Sequence, residues 1–245
     1  SVTGVQTCAL PILCMKTHIL LRQILSVFIA VGWLSLAHAA GPDDSELCKP
    51  FKGGKVDASL LSTMLEAARD GYLYRIENDT SQVGFCVSSK FSMVKGHFHE
   101  FSGGLALAPA GARTGAPSNA EQAMIVINTA SLDTDGSLIE SLIKGERFFD
   151  VEKYPEILFV SRDFEWTGKD TATISGDLTV HGVTRPVVFA VTLTPVKDSA
   201  DSAKRLVVKA KTTILRSQFG MDNMSKVVSD DVNLCMSVEV VRYAS

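Results

Sequence analysis

Two histidines near the middle of the chain have the residue type and spacing that a metal site requires. His97 and His99 are two residues apart in a predicted strand, so their imidazoles share one face and could hold a metal ion together. Glu100 follows them as an additional candidate. One alternative is therefore a metal-assisted hydrolase, although the sequence shows no evident third ligand.

The other nucleophiles, acids and bases form no recognisable catalytic set. No serine has the glycine-flanked pattern of a nucleophile elbow. Asp133 and Asp135 precede a predicted helix, where such residues commonly serve turns and the helix dipole. His181 falls in a tight turn. We therefore expect a protein without catalytic residues, without metal ligands and without a cofactor.

Residues 15–39 have the pattern of a secretory signal peptide. Met15 opens a short basic segment, Ile24–Leu36 is apolar, and Ala37-His38-Ala39 supplies small residues at the cleavage site. We expect cleavage after Ala39, a periplasmic location and no membrane-spanning segment, because the apolar run is short. Residues 1–14 are expected to be a non-native leader sequence.

The charge of the chain argues against nucleic acid as a partner. The whole sequence has 24 basic and 27 acidic residues, a net charge of −3. Removal of Lys16 and Arg22 with the leader leaves 24 − 2 = 22 basic residues, and the net charge becomes 22 − 27 = −5. Binding to phosphates needs clustered Lys and Arg, which this composition does not favour.

Residues 71–245 form a succession of short alternating segments, typical of antiparallel strands. Such a chain has one continuous apolar face, which favours a closed β-barrel. The alternation alone leaves open whether the interior is a cavity or a packed core. The predicted strands are Tyr72–Ile76, Gln82–Ser89, Gly96–Leu107, Ala123–Asn128, Glu156–Ser161, Thr171–Val180, Val187–Pro195, Leu206–Leu215 and Asp231–Arg242.

Two helices are predicted beside the strands. Residues 40–70 form an N-terminal arm that ends in an amphipathic helix over 57–70, expected to pack on one end of the barrel. If the core is solid, this helix could instead be the contact surface of an envelope interaction protein. The second helix begins at Ser137, with Glu140 completing a capping box. Phe148 and Phe149 follow it, so the segment either plugs one mouth of the barrel or only covers its core.

Cysteine positions predict a disulfide between the first and last strands. Cys86 and Cys235 each lie opposite the apolar face of their strand, so both point outward. First and last strands are neighbours in a closed barrel, and a Cys86–Cys235 bond would join them. Cys48 is a competing partner for either one.

Five stretches in order make the chain resemble the YceI-like family. They are Val94–Gly103, Ser131–Thr134, Phe148–Pro155, Gly176–Thr184 and Arg216–Met221. The resemblance runs from about Tyr74 to Arg242. One departure is Thr80, which stands where family members usually have histidine, and the predicted second helix is more apolar than is usual.

The resemblance implies a mainly β, lipocalin-like closed antiparallel barrel with one inserted capping helix and an N-terminal helical extension. It further implies that the barrel holds a polyisoprenoid, an isoprenoid quinone or another fatty-chain ligand, with a homodimer as one candidate assembly. From the scattered basic residues we expect no charged cluster that holds a headgroup; if one exists, Arg216, beside Phe219, is the first candidate for the contact. The residues expected to line the site are Phe85, Val87, Phe98, Phe101, Ile125, Ile127, Leu142, Phe148, Phe149, Phe159, Leu178, Phe189, Val191, Arg216 and Phe219.

Overall fold

The computed structural model of the protein describes residues 58–70, 72–107, 121–196 and 204–243. The signal peptide, the leader and Cys48 lie outside these residues. The helices are α1 (Ala58–Arg69) and α2 (Ser137–Lys144). The strands are β1 (Leu73–Ser89), β2 (Met93–Phe98), β3 (Phe101–Ala106), β4 (Gln122–Asn128), β5 (Leu132–Thr134), β6 (Glu156–Trp166), β7 (Thr171–Val180), β8 (Val183–Pro195), β9 (Arg205–Leu215) and β10 (Val228–Arg242).

Antiparallel pairing closes the sheet into a barrel, as the sequence predicts. The ring runs β1–β10–β9–β8–β7–β6–β4–β3 and returns to β1. The closing pair joins the two longest strands, with Tyr74 opposite Arg242 and Val87 opposite Val232. Because each strand of the ring has two neighbours, its backbone groups are paired without help from the barrel interior.

The strand boundaries differ from the prediction at several points. The first two predicted strands are one strand, β1, which continues through an irregularity between Glu77 and Gln82. Strand β6 runs on to Trp166, and β5 was not predicted. Strand β5 pairs with β2 and is followed directly by α2. Helix α2 therefore lies beside the short edge of the sheet that β2 and β5 form.

Helix α1 packs against the side of the barrel and not on its end, which corrects the prediction. Met64 and Ala68 form a small apolar cluster with residues of β1, β3, β4 and β6. Alternate residues of β4, Met124 and Val126, face this helix while Ile125 and Ile127 face the barrel interior. Burial of both faces explains why β4 lacks the alternation seen in β7.

The predicted capping box of α2 is wrong. Gly136 is the N-cap residue, at φ 151°, and no side chain caps the helix. Ser137 is already inside the helix, so its hydroxyl is one position too late to accept from the first turn. Glu140 instead pairs with Lys144, with Oε1 and Nζ 2.7 Å apart. Within the described residues, no helix has the length and hydropathy needed to cross a membrane.

The predicted Cys86–Cys235 disulfide is not formed, and both side chains are free thiols. The two residues do lie in adjacent strands, but Cys86 is opposite Asn233 and Cys235 is opposite Gly84. They are therefore diagonal neighbours, whose Cα atoms are typically about 7–8 Å apart, wider than a disulfide usually spans. Cys235 is exposed, and partial desolvation of its thiol, followed by the nearby Cys86, raises the pKa of that thiol.

We expect both thiols to react when the unfolded protein is alkylated without a reductant. Peptide mass spectrometry should find Cys86 and Cys235 each carrying one label, with the same result after reduction. In the folded protein, labelling of Cys235 should be slow near neutral pH, because a raised pKa leaves little thiolate. A linked pair of peptides in the unreduced digest would contradict the register seen here.

Candidate functional site

The barrel encloses a cavity of about 320 Å³ whose wall is almost wholly apolar. Alternate residues of the strands point inward and supply the wall, as in Ile174 and Leu178 of β7. The volume falls at the lower end of the range of about 300–1,000 Å³ common for small-molecule sites. The interior of the barrel is therefore a cavity and not a solidly packed core.

One end of the cavity is closed by packed side chains. Phe164 is 0% exposed and lies 5.1 Å from the ring of Trp166, measured between centroids. Both belong to the apolar core but not to the cavity wall. The Trp166 indole donates to Oε1 of the buried Glu121 at 3.2 Å, which holds the ring in place. We call this the closed end.

The opposite end, the mouth, is partly covered by α2 and the two phenylalanines after it. Phe149 packs against Phe85 and Phe98, with ring centroids 5.7 and 5.8 Å away. Gly96 makes room for this cluster, since a Cβ there would lie 2.4 Å from the Phe85 ring. Both Phe148 and Phe149 line the cavity, so the segment plugs part of the mouth and does not merely cover the core.

Arg216 holds together the backbone segments that form one side of the mouth. Its side chain is 3% exposed and makes four hydrogen bonds to backbone carbonyl oxygens. Nε donates to Ser229 at 2.8 Å, Nη1 to Met221 and to Asn223, and Nη2 to Val228 at 3.0 Å. The guanidinium carbon also lies 6.0 Å from the centre of the Phe148 ring. These carbonyls occupy four of the five N–H donors of the guanidinium, which leaves one for a headgroup.

Further hydrogen bonds fix the loop between β9 and β10. The Asp230 carboxylate accepts from the backbone N–H and the hydroxyl of Ser217, at 2.8 and 2.6 Å, and these bonds lower its pKa. Asn223 donates to the Arg147 carbonyl at 3.0 Å, which joins the loop to the segment after α2. These hydrogen bonds hold the segments around the mouth in fixed positions.

The turn between β7 and β8 supports the same end of the barrel. His181 and Gly182 have φ of 51° and 72°, a backbone conformation that suits glycine. The His181 ring lies 4.5 Å from the Tyr154 ring, and its Nδ1 is 3.3 Å from the Phe219 carbonyl oxygen. The role of His181 here is structural contact between the turn and the segments over the mouth.

Most residues expected to line the site do lie in the cavity wall. Phe101 and Phe219 are exceptions: both are buried in the apolar core but neither borders the cavity. Phe219 ends a short 3₁₀ helix, Arg216–Phe219. The expected residues found in the wall are Phe85, Val87, Phe98, Ile125, Ile127, Leu142, Phe148, Phe149, Phe159, Leu178, Phe189, Val191 and Arg216.

Sequence reasoning missed further wall residues, among them large inward strand residues such as Ile174, and two other groups stand out. The first comprises small inward residues, of which Ala210 is the clearest, since it leaves space where a larger residue would fill the barrel. Its inward parity in β9 could have identified it. The second comprises mouth residues in turns and loops, such as Phe91 and Met224, where no strand periodicity signals a face.

The histidine pair lies outside the barrel, away from the cavity. His97 and His99 are both exposed, and His99 Nε2 is 3.4 Å from Asp133 Oδ2. Within the described residues, no group of three or more His, Cys, Asp or Glu side chains could hold a metal ion. Glu100, in the turn between β2 and β3, accepts from the Asn128 amide at 2.6 Å, a bond that joins this turn to the end of β4.

Comparison with known proteins agrees with this architecture. A UPF0312 protein of Pseudomonas putida (strain GB-1) is 33% identical over 152 residues, 62% of this chain and 76% of the relative. The crystal structure of Burkholderia cenocepacia BcnA matches with a TM-score of 0.58 at 23% identity, over 67% of this chain and 98% of BcnA.

A second solved structure is a polyisoprenoid binding domain from Saccharophagus degradans, implicated in plant cell wall breakdown. It matches with a TM-score of 0.52 at 16% identity, over 69% of this chain and 98% of that domain. Both structures share the fold. The model of the YceI-like domain matches residues 74–240, most of the barrel. The chain therefore belongs to the YceI-like family.

Proposed function

We propose that this protein is a carrier that holds the hydrocarbon chain of a polyisoprenoid or another long-chain lipid inside its barrel. The observation that carries the proposal is the apolar cavity, closed at one end and open at the other. The polyisoprenoid-binding neighbour of the same fold supports this class of ligand. The signal-peptide pattern of residues 15–39 supports a periplasmic site of action for such a carrier.

Apolar burial alone can supply useful affinity in such a site. Each methylene removed from water contributes about 0.8 kcal/mol, or about fourfold in affinity. The wall offers almost no polar partners, so recognition rests on length and shape. We expect affinity to rise with chain length until the cavity is filled and then to level off.

The site does not support the alternative of a metal-assisted hydrolase. The histidine pair and its neighbouring acids point away from the cavity, so they could not act on a ligand held inside. Among the described residues, those that line the cavity include no acid and no histidine. We therefore place the function in binding and not in catalysis.

Filling the cavity should abolish binding without unfolding the protein. In Ala210→Phe, the new ring enters the space that a prenyl chain would occupy. We expect affinity for geranylgeraniol to fall at least about tenfold, while the free energy of unfolding stays within about 1 kcal/mol of the wild type. Titration calorimetry and urea denaturation measure the two quantities.

The matched control is Ala190→Phe, the same substitution on the outer face of β8. It should bind as the wild type does. Equal affinities for all three proteins would show that the ligand lies elsewhere. A direct test of the ligand class is mass spectrometry of an organic extract of the protein purified from a bacterial periplasm, where Ala210→Phe should carry no lipid.

Arg216 should matter for stability and not for headgroup choice. In Arg216→Met, four carbonyl oxygens lose their donor, and we expect the free energy of unfolding to fall by about 2–4 kcal/mol. The ratio of affinities for prenyl alcohol and prenyl phosphate should stay the same, and added salt should change it little. A phosphate preference that disappears in this variant would make Arg216 a headgroup ligand.

A further inference from the structure

Large apolar side chains surround the mouth in contact with solvent. Phe91, between β1 and β2, and Leu138, in the first turn of α2, are each 86% exposed. Ile139, Leu142 and Met224 are exposed as well, and we call these five residues the apolar rim. Contiguous exposed apolar surface marks a place where a protein meets another apolar surface.

The exposure is concentrated at this end of the barrel. Of the eight large apolar side chains exposed in the described part of the chain, five form the rim. Met93 lies two residues after Phe91, and Leu215 ends β9 near the mouth. Val188, on the outer wall of β8, is the exception and provides a control position.

The rim continues into the cavity without a polar break. Phe91, Ile139, Leu142 and Met224 are exposed and also border the cavity. A long-chain lipid is scarce in water and abundant in bilayers. A mouth in direct contact with a bilayer would let the chain slide into the cavity along apolar side chains, without exposing it to water.

The shape of the rim suits a bilayer better than a folded partner. Its residues lie on three separate segments around an opening: the β1–β2 turn, α2 and the β9–β10 loop. Projecting side chains of this kind can insert among lipid headgroups, as apolar residues of interfacial segments do. A protein partner would need a complementary surface with a plug for the opening.

Charge near the rim fits phosphate headgroups on one side. The Lys90 N–H donates to the Val227 carbonyl at 2.9 Å, which places exposed Lys90 and Lys226 on neighbouring segments. Acids lie near the rim as well: Glu140 is paired with Lys144, Glu146 is exposed after α2, and Asp222 is exposed on the same loop as Lys226. The signs are mixed, so insertion of the rim supplies most of the affinity and the lysines add to it.

We infer that the apolar rim docks the mouth of the barrel onto a phospholipid bilayer, with Lys90 and Lys226 facing lipid phosphates. The inference rests on the proposed carrier function, since the rim is the entrance to the same cavity. It adds a membrane surface as the partner from which the lipid is taken or to which it is given.

The test uses vesicles of phosphatidylethanolamine and phosphatidylglycerol. We expect wild-type protein to sediment with them, and Leu138→Ser and Phe91→Ser each to lower the partition coefficient about tenfold. Val188→Ser should partition as the wild type does. Leu138 does not border the cavity, so Leu138→Ser should bind dissolved farnesol with unchanged affinity while taking prenyl lipid from vesicles more slowly.

Two further measurements separate the outcomes. Ala210→Phe should still sediment with vesicles although it no longer binds farnesol; loss of both would mean that sedimentation is only capture of cargo, and would overturn the docking inference. So would wild-type protein that stays in solution, rim variants that sediment normally, or a concentration-dependent dimer that the rim variants abolish. Farnesol binding by the wild type in any of those cases would leave the carrier function standing. Rim-dependent sedimentation without farnesol binding would instead support docking and overturn the carrier function.

Discussion

The closing pair of strands is the constraint on which the rest of the molecule depends. When β1 and β10 meet along their length, every strand of the ring gains two neighbours, and the wall is held by backbone hydrogen bonds. Stability then does not require the interior to be filled. A cavity that would weaken an open sandwich is tolerated here, because the wall is held by pairing as well as by packing.

Keeping the cavity accessible requires a mouth that is covered but not sealed. Arg216 meets this requirement by binding carbonyl groups of the β9–β10 loop, while Phe148 and Phe149 cover part of the opening. A guanidinium suits this use because its planar array of donors can bind several carbonyls at once. The buried Arg216 guanidinium lies beside the Phe148 ring, so the charged group helps to hold the segments around the mouth together.

The alternating face of strands such as β7 and β8 correctly favoured a closed barrel, and most of the residues expected to line the site do lie in the cavity wall. The prediction failed where a strand is buried on both faces, as β4 is beneath α1. Periodicity shows which residues share a face of the strand but not what packs against that face. At Arg216 the sequence shows a charge at the end of an apolar strand but gives no sign of the four carbonyl groups that surround it. Phe91 and Met224 were missed because turns have no periodicity from which a direction can be read.

For the proposed carrier, the packed aromatic pair at the closed end, Phe164 and Trp166, would restrict the order in which lipids enter and leave the barrel. Because the part of the chain that the structure describes leaves the cavity one opening, a linear lipid in the proposed carrier would enter tail first and leave head first, with its polar end staying at the mouth. Two lipid molecules could not pass each other in the cavity, so a bound lipid would have to be released before the next one bound. The protein would then alternate between a lipid-bound and a lipid-free form. The direction of net transfer would be set by the amount of lipid in the donor and acceptor membranes and not by any asymmetry within the barrel.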